Sequence, residues 1–428
     1  MRLLFLSNLY PPHANGGYEQ LCEETARELA RRGHSLCVLT SRPRRECQPC
    51  PTDGSGVEVR RLLNLEVEAG VLDTTLRLIR DRQRLEQENL RSLREVVGEF
   101  QPDAAMVWGM WNVPRSVPAL VESLLPGRVA YYFCDYWPSL PSAYRQQLEA
   151  ASKRTLTCWP KRAVARLVLP SLSHTSAVPL RIERPICVSH AVRRLLVEAG
   201  VPLERAQVVH LGIDLTRFRP LPEDRASLAS WRRDFRLVYA GRLAPEKGVR
   251  TVVEALAQVP ERPGRTVSLD IVGGGDEGYV AELKAMSHRY HLDGRVAFRG
   301  RLPRSDMPLI LARHDALVFP SEWQEPFAHT VLEAMAVGIP VIGTTTGGTG
   351  EVLVESETGL TFPAGDAERL AAQIQRLADD PTLGRRLARA ARERVEREFT
   401  IERTVDELED ILEETAREGS SPRTALRL

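Results

Sequence analysis

The chain has 428 residues, of which 43% are hydrophobic and 27% are charged, and its formal net charge is +1 at pH 7. This length predicts two large domains, because one compact core rarely serves more than roughly 200 residues. The near-neutral charge gives no general attraction to nucleic acid, so we expect no nucleic-acid partner. The sequence contains no apolar stretch of the ~20 residues that span a bilayer, and its start lacks the features of a signal peptide. A cytoplasmic protein is therefore predicted.

The first residues predict a strand, a loop and a helix. Arg2 to Ser7 is an apolar run, Asn8 to Gly17 is a loop, and Tyr18 to Arg32 is amphipathic. Gly16 and Gly17 therefore follow the first strand at its carboxyl end, where open α/β sheets bind ligands. Their backbone amides could approach a phosphate closely, and the alternative is an ordinary turn.

Further strands are predicted where apolar runs return. In the first half these runs are Ser35 to Thr40, Val57 to Leu63, Asp103 to Trp108, Arg128 to Phe133 and Pro185 to Ser189. The basic segment Ala151 to Arg184 is interpreted as a solvated insertion, with contact to an anionic inner membrane face as the alternative. Seven cysteines are scattered along the chain, and the one Cys-x-x-Cys, at Cys47 and Cys50, is interpreted as an incidental surface pair.

A second alternation of strands and helices begins after a linker near Leu211 to Pro222. Its predicted strands are Arg236 to Ala240, Val267 to Val272, Val296 to Phe298, Ala316 to Phe319 and Pro340 to Gly343. The pattern predicts two tandem Rossmann-like, doubly wound α/β domains, at residues 1–215 and 216–395. Residues 396–428 are predicted to form a C-terminal helix that packs back on the first domain, followed by a frayed tail.

The stretch Ala316 to Gly338 concentrates the chemistry of the second domain. It predicts a strand, a loop with Glu325, and a helix from about Ala328 that carries Glu333 on its polar face. The first amides of this helix, predicted to be available to an anion, belong to Ala328, His329 and Thr330. Taken alone, Glu333 would be an ordinary solvated residue.

Two cations lie near this stretch in the predicted fold. Arg242 and Lys247 follow another strand of the same domain, so they share the carboxyl-end rim of the sheet with Glu325. Together with helix amides they would neutralise a diphosphate without a metal. Glu333 could accept hydrogen bonds from vicinal hydroxyls such as those of a ribose, which leaves Glu325 for a sugar.

Several motifs occur in a fixed order after the Gly-Gly loop: GRLAPEKG, EPFAHTVLE, GIPVIGTTTGGTGEV and ETGLTFPAGD. In this order they resemble the family-4 retaining glycosyltransferases of the GT-B fold, over about Arg2 to Leu377. The resemblance implies a cleft between two domains, with a nucleotide-sugar donor (UDP-, GDP-, ADP- or dTDP-linked) on the second domain. The acceptor, a small molecule, lipid-linked sugar or polysaccharide, would lie on the first. It implies no metal and no cofactor, and the chain has no Asp-x-Asp motif.

The resemblance also assigns roles. Arg242 and Lys247 would clamp the diphosphate, Glu333 would hold the ribose, and Glu325 would contact the donor sugar. The other residues that it places at the donor are Gly16, Gly17, Gly300, Arg301, Leu302, Phe327, Ala328, His329 and Thr330. The base would be read by the loop Gly300 to Leu302, and the acceptor would attack the front face of the donor.

Two positions depart from the family pattern. Ala328 replaces a Gly that is usual after Glu-Pro-Phe, which is a mild change in a helix. In YYFCDYWP, Cys134 stands where the family has an active-site His, so the sugar contacts there are open, and Asp135 is the remaining catalytic candidate.

Other classes of function remain open at this stage. A nucleotide-sugar epimerase or a sugar phosphorylase could have a similar two-domain build. A phosphorylase needs a cofactor lysine, and of the four lysines in the chain Lys247 alone lies in a site motif. A catalytically silent sugar-nucleotide-binding protein is the third alternative, motivated by Cys134.

Overall fold

The computed structural model describes residues 1–13, 16–42, 56–67, 80–149, 178–220, 234–260 and 265–419. The interpretations of the Cys47 and Cys50 pair and of most of the basic segment fall outside the described residues. The chain forms two compact units. Unit 1 comprises Met1–Val188, Val192–Val209 and Val405–Leu428, and unit 2 comprises Ser189–Ala191 and His210–Thr404.

Unit 1 is built on a seven-stranded parallel sheet with the order β3-β2-β1-β4-β5-β6-β7. The strands are β1 (Arg2–Leu6), β2 (Ser35–Ser41), β3 (Val57–Leu63), β4 (Ala104–Val107), β5 (Val129–Phe133), β6 (Arg184–Cys187) and β7 (Gln207–Val208). Its helices are α1 (Gly17–Arg31), α2 (Arg82–Phe100), α3 (Ser116–Leu124), α4 (Ala143–Glu149) and α5 (His190–Glu198). The first two residues of α5 belong to unit 2. All residues of β4 and β5 are buried, as continuous apolar runs predict for strands covered on both faces.

Unit 2 contains a six-stranded parallel sheet with the order β10-β9-β8-β11-β12-β13. The strands are β8 (Asp234–Ala240), β9 (Thr266–Val272), β10 (Val296–Gly300), β11 (Ala316–Phe319), β12 (Val341–Gly343) and β13 (Leu360–Thr361). The helices are α6 (Val249–Gln258), α7 (Glu277–Arg289), α8 (Met307–Ala312), α9 (His329–Ala336), α10 (Ala367–Asp379) and α11 (Pro381–Glu398). The last helix, α12 (Ile401–Gly419), begins in unit 2 and belongs to unit 1 from Val405 onward. The core of unit 2 packs α6 and α10 against the sheet through residues such as Val252, Leu269 and Ile374.

The prediction of two doubly wound α/β domains is confirmed by these two parallel sheets. Apart from Ser189–Ala191, the chain leaves unit 1 after Val209 and returns to it at Val405, and the domain bounds at residues 215 and 395 stay predictions. The two-residue strands β7 and β13 were not predicted, because two residues carry no periodic signal. Asp366 caps α10 through a 2.8 Å bond from the Arg369 amide. No helix among the described residues is both long and apolar enough to cross a membrane.

Candidate active site

The carboxyl ends of the unit 2 strands are held close together by glycines. Gly273 follows β9 with a φ of +143°, and a Cβ built on it would lie 1.8 Å from the carbonyl oxygen of Gly241. Gly248, with a φ of +65°, would place a Cβ 2.0 Å from the carbonyl oxygen of Pro320. Larger residues at these positions would push the loop after β8 away from its neighbours, so the glycines position the loop that carries Arg242 and Lys247.

Lys247 and Glu325 form an ion pair at this rim. The Lys247 Nζ lies 2.6 Å from Glu325 Oε1, and the Ser321 hydroxyl donates to the same oxygen at 2.5 Å. The Glu325 side chain is 9% exposed and that of Lys247 is 21% exposed. The structure therefore brings together two residues that the sequence placed in one site, with a partly buried positive charge beside a nearly buried negative one.

Arg242 differs from Lys247, because its side chain is 60% exposed. Its Nη2 lies 2.9 Å from Glu246 Oε1, and the Tyr239 hydroxyl donates to its backbone carbonyl at 2.7 Å. The backbone of Arg242 is fixed while its guanidinium reaches toward solvent. An exposed guanidinium on a fixed backbone is placed where it can bind an incoming anion.

Glu333 is deeply buried rather than solvated. Its carboxylate lies 2.7 Å from Arg304 Nη1, and its side chain is 4% exposed. Burial raises the pKa of Glu333, while the guanidinium groups of Arg304 and Arg217 oppose that effect. The polar face of α9 is thus packed against a cation that the sequence analysis did not single out.

His329 completes this group. Burial, reinforced by Arg304 and Arg217, lowers the pKa of His329 well below its usual value, so the imidazole is neutral. Arg304 Nη2 lies 3.3 Å from His329 Nε2. A guanidinium can only donate, so Nε2 must accept, and the ring proton lies on Nδ1. This buried Nδ1 has no hydrogen-bond partner among the described residues.

The start of α9 lies within one residue of the predicted position. The helix begins at His329, whose amide donates to the carbonyl of Phe327 at 3.1 Å, and anion binding by the Ala328 and Thr330 amides stays a prediction. The His329 amide is therefore engaged locally and is not available to an anion in this conformation. Phe327 itself stacks on His210 with ring centroids 5.2 Å apart, and Thr330 is partly exposed on the first turn.

The loop after β10 is the predicted base-reading segment. Gly300 ends the strand with a φ of +70°, and its carbonyl accepts a 2.8 Å bond from the Gly273 amide. Arg301 packs near Gly274, where an added Cβ would lie 2.8 Å from its Nε. Leu302 is 40% exposed. This loop is therefore joined to the Gly273 turn and through it to the loop of Arg242.

The Glu325 loop is supported from behind by the segment after β12. The Gly348 amide donates to the Glu325 carbonyl at 2.7 Å, and the Thr344 hydroxyl donates to the Ser321 carbonyl at 2.6 Å. The Ser189 hydroxyl donates to the Pro326 carbonyl at 2.7 Å. The TTTGGTGEV motif alone does not predict these contacts, although its paired glycines indicate a close approach of the backbone.

One group of side chains among the described residues could hold a metal ion, namely His190, His210 and Glu351, whose ligand atoms lie within 4.8 Å of one another. Glu351 accepts hydrogen bonds from the backbone amides of His190 and Ala191 and lies 2.9 Å from His210 Nε2. Burial alone would raise the pKa of Glu351, but these hydrogen bonds outweigh it and lower the pKa. The carboxylate thus braces the start of α5 and holds His210, and the absence of a metal stays a prediction.

The predicted site residues of unit 1 form a separate group. The Gly16 amide donates to Glu19 Oε2 at 2.9 Å, and α1 begins at Gly17, so the first of the two predicted phosphate-binding amides is occupied internally. Burial raises the pKa of Asp135 to about 7, and the nearby Glu19 carboxylate adds to this effect. Cys134 is buried, and burial raises its thiol pKa well above the usual value, with Asp135 contributing. The residue in the family His position is therefore a neutral thiol.

Two protein-family models match consecutive parts of the chain. Residues 15–217 match "Glycosyltransferase Family 4", and residues 222–394 match "Glycosyl transferases group 1". The chain belongs to glycosyltransferase family 4. The HepE protein of Anabaena, solved with UDP and glucose, superposes with a TM-score of 0.69 at 21% identity, over 96% of this chain and 99% of that one. This likeness confirms the GT-B fold.

Curated members of the family are similar over part of their length. A glycogen synthase of Mycobacterium tuberculosis is 35% identical over 201 residues, which are 47% of this chain and 46% of that protein. A GDP-mannose-dependent phosphatidylinositol monomannoside mannosyltransferase of the same organism is 29% identical over 59% of this chain and 66% of that one. The chain thus spans about half to two thirds of the length of these relatives.

Proposed function

We propose that the protein is a retaining, metal-independent glycosyltransferase that transfers a sugar from a nucleotide-diphosphate donor bound by unit 2. Family membership supports glycosyl transfer, and the observation that carries the donor assignment is the Lys247–Glu325 pair at the carboxyl end of the unit 2 sheet. HepE was solved with UDP and glucose, and a related mannosyltransferase is named for GDP-mannose, so both nucleotides are candidates.

The cations would act on the leaving group. Lys247 would share its ammonium between Glu325 and the diphosphate, and the exposed Arg242 guanidinium would leave Glu246 to close on the same phosphates. Their charge stabilises the diphosphate as the bond between it and the anomeric carbon breaks. These cations take the part that a metal plays in other glycosyltransferases, which is why we propose that none is needed.

The buried group on α9 would bind the neutral parts of the donor. A carboxylate offers about four acceptor positions, so Glu333, with Arg304 Nη1 2.7 Å from its Oε1, keeps acceptors for two ribose hydroxyls. The His329 Nδ1–H is an oriented, buried donor that would bind an oxygen of the donor, because an unpaired buried donor is unfavourable.

The sugar would be transferred by front-face attack. The acceptor oxygen forms a bond to the anomeric carbon on the face that the diphosphate leaves, and the acceptor proton passes to an oxygen of the departing phosphate. Configuration at the anomeric carbon is thereby retained. The reaction requires no protein nucleophile, and Glu325, paired with Lys247, would orient the sugar.

A binding screen with the full chain tests the donor assignment. UDP, GDP, ADP and dTDP are added in turn, and the melting temperature is measured, since a ligand at 100 times its Kd stabilises by about 2.7 kcal/mol. We expect one diphosphate to raise the melting temperature and the matching sugar nucleotide to be turned over in EDTA. Binding without turnover would favour a catalytically silent binding protein, and a melting temperature unchanged by all four would contradict the proposal.

A further inference from the structure

Three side chains of unit 2 converge at the start of α5. They are His190, His210 and Glu351, and one ligand atom from each lies within 4.8 Å of the others. Two imidazoles and a carboxylate offer the nitrogen and oxygen ligands that zinc prefers, and two His with one Glu is a ligand set that holds zinc in proteins. These side chains have no part in the proposed binding of the donor, so their convergence is a separate feature of the chain.

Glu351 is the oxygen ligand of this cluster, and its orientation is fixed. Its Oε1 accepts a 2.9 Å bond from the Ala191 amide, and its Oε2 accepts a 3.1 Å bond from the His190 amide. The other side of Oε2 faces His210, whose Nε2 lies 2.9 Å away. Neighbouring ligand atoms on tetrahedral zinc are roughly 3.3 Å apart, so a small displacement would admit an ion between these two. Hydrogen bonds to a ligating carboxylate are the usual outer support of a metal site.

The ring of His210 is also held in place before any ion arrives. It stacks on Phe327 with ring centroids 5.2 Å apart and meets the Phe399 ring edge to face at 5.5 Å. The Thr404 hydroxyl donates to the His210 carbonyl at 2.8 Å, which fixes the backbone as well. A ligand that is locked by its packing loses little conformational entropy when it binds an ion. Two of the three ligands are therefore pre-organised.

His190 is the adjustable ligand, at the first position of α5. It is exposed, and its ring lies 6.0 Å from that of His210 at an interplanar angle of 66°. The side chains of His210 and Glu351 are 29% and 20% exposed. An ion can therefore reach the cluster from solvent, and rotation of the exposed His190 ring is the main adjustment that coordination requires.

Other ligands fit the cluster less well. Mg²⁺ and Ca²⁺ prefer oxygen ligands, and this cluster offers them one carboxylate beside two imidazoles. An anion would be repelled by the Glu351 carboxylate. A hydrogen bond between His210 and Glu351 explains those two side chains but not the His190 ring beside them. A zinc-class ion uses all three, because imidazole nitrogen is among its preferred ligands.

We infer that His190, His210 and Glu351 form a zinc site on unit 2, with a fourth position left to water, that braces the segment after Glu325. The link to that segment is the stacking of His210 on Phe327, which follows Glu325 by two positions. An ion on His210 would hold this contact in place. Such an ion takes no part in sugar transfer, so the proposal that the diphosphate needs no metal is unchanged, and zinc binding does not depend on it.

Calorimetric titration of the full chain with zinc tests the inference without turnover. The protein is stripped with EDTA, moved to metal-free buffer and carries Cys47→Ser and Cys50→Ser, because a Cys-x-x-Cys pair can bind zinc by itself. We expect one zinc ion to bind per chain and to raise the melting temperature. Co²⁺ in place of zinc should give the visible spectrum of a tetrahedral ion, and Mg²⁺ should not bind.

Three variants of this protein locate the ion. His190→Ala should raise the Kd for zinc by roughly 10²-fold or more, since even the outer partners of metal ligands are worth about 10 to 100-fold. Glu351→Gln should have a similar effect, although its amide oxygen can still accept a backbone hydrogen bond. The matched control is His288→Ala, which removes an exposed histidine that lies 2.9 Å from Asp293 and should leave zinc binding unchanged.

Three outcomes would overturn the inference. These are no zinc binding, a Kd that His190→Ala does not change, and a Co²⁺ spectrum that stays that of the hydrated ion. His190 is exposed, so its replacement should not unfold the protein, and melting temperatures without metal check this for each variant. The same samples are titrated with UDP and GDP in the absence of zinc. A lack of nucleotide binding there would count against the proposed function and leave the zinc result standing.

Discussion

The strand ends of the two units differ in whether their buried carboxyl groups are paired with a cation. In unit 2 a carboxylate is paired with a cation at each key position, Glu325 with Lys247 and Glu333 with Arg304. In unit 1 burial raises the pKa of two carboxyl groups, Glu66 and Asp135, to about 7, and the neighbouring Cys134 is a neutral thiol. Carboxyl groups paired with cations bring positive charge that suits a diphosphate, and neutral groups suit a hydroxyl-bearing ligand. The contrast therefore supports the proposed donor site on unit 2 and the expectation that the acceptor lies on unit 1.

The largest expected effect comes from removing the unit 2 cation. Lys247→Ala should lower kcat/KM for the sugar nucleotide by roughly 10² to 10³-fold, because one oriented charge at the leaving group is lost. The matched control is Arg250→Ala on the neighbouring helix, whose guanidinium is 56% exposed and pairs with Glu254. Steady-state kinetics with the nucleotide identified by the thermal screen measure both. Equal losses of kcat/KM in the two variants, or no loss in Lys247→Ala, would contradict the proposed role of Lys247 at the diphosphate.

The next effect concerns the backbone that holds the charged rim. Gly273→Ala should destabilise the protein by about 2 kcal/mol or more, because the new Cβ meets the Gly241 carbonyl in addition to the strain of the positive φ. Gly294 also has a positive φ, of +84°, but an added Cβ there has open space. Gly294→Ala therefore measures the destabilisation caused by a positive φ alone, without a steric clash.

Chemical denaturation of the two glycine variants measures the difference in their free energies of unfolding. A larger loss for Gly273→Ala, accompanied by weaker nucleotide binding, would support a role of this approach in positioning the donor loop. Equal losses would show that the loop tolerates the extra carbon, so the close approach would not define the site.

These two sites also show what the sequence could and could not predict. The strand, loop and helix from β11 to α9 follow from apolar periodicity, and so does the meeting of Lys247 with Glu325 at one rim. The partner of Glu333 did not follow, because Arg304 lies 29 positions away and periodicity does not distinguish a solvated polar face from one packed on a cation. The approach of Gly273 to Gly241 was equally hidden, since a glycine in a turn has the same local signature with or without a neighbour.

A third, smaller effect should be visible in the pH dependence of unit 1. The pKa of Glu66 rises from its usual 4.5 to about 7 in the folded protein, mainly through burial, while Arg82 and the Ala143 and Tyr144 amides oppose the rise and Glu86 adds to it. The folded state then binds more protons than the unfolded state between these values. Stability contributed by this group is present at low pH and is lost as pH rises from about 5 to 7, by at most about 1.4 kcal/mol per pH unit.

Glu66→Gln removes that titration. Relative to wild type, the variant should gain stability as pH rises through this window and level off above it, in urea unfolding measured at several pH values. Glu198→Gln, at a side chain that is 61% exposed, is the control and should leave the pH dependence as it is. A difference between Glu66→Gln and wild type that does not change with pH would show that this carboxyl is ionised throughout, which would remove one half of the contrast between the units.

The smallest effect is expected at Cys134, where the family resemblance places a His that contacts the donor sugar. An imidazole in that place can hydrogen-bond a hydroxyl strongly, whereas a thiol is a weak donor, and burial keeps this thiol protonated. A donor that lacks the hydroxyl would then leave no strong polar group unpaired, so we expect wild type to prefer a hexose donor over its 6-deoxy analogue by less than about tenfold in kcat/KM. Cys134→Ser is close to the thiol in volume and restores a good hydrogen-bonding group, whereas His would overpack a site that is 8% exposed. The serine variant should therefore raise the preference for the hexose donor. A strong preference in the wild type that the substitution does not alter would contradict this. It would mean that another residue selects the hydroxyl and that Cys134 is a small core side chain.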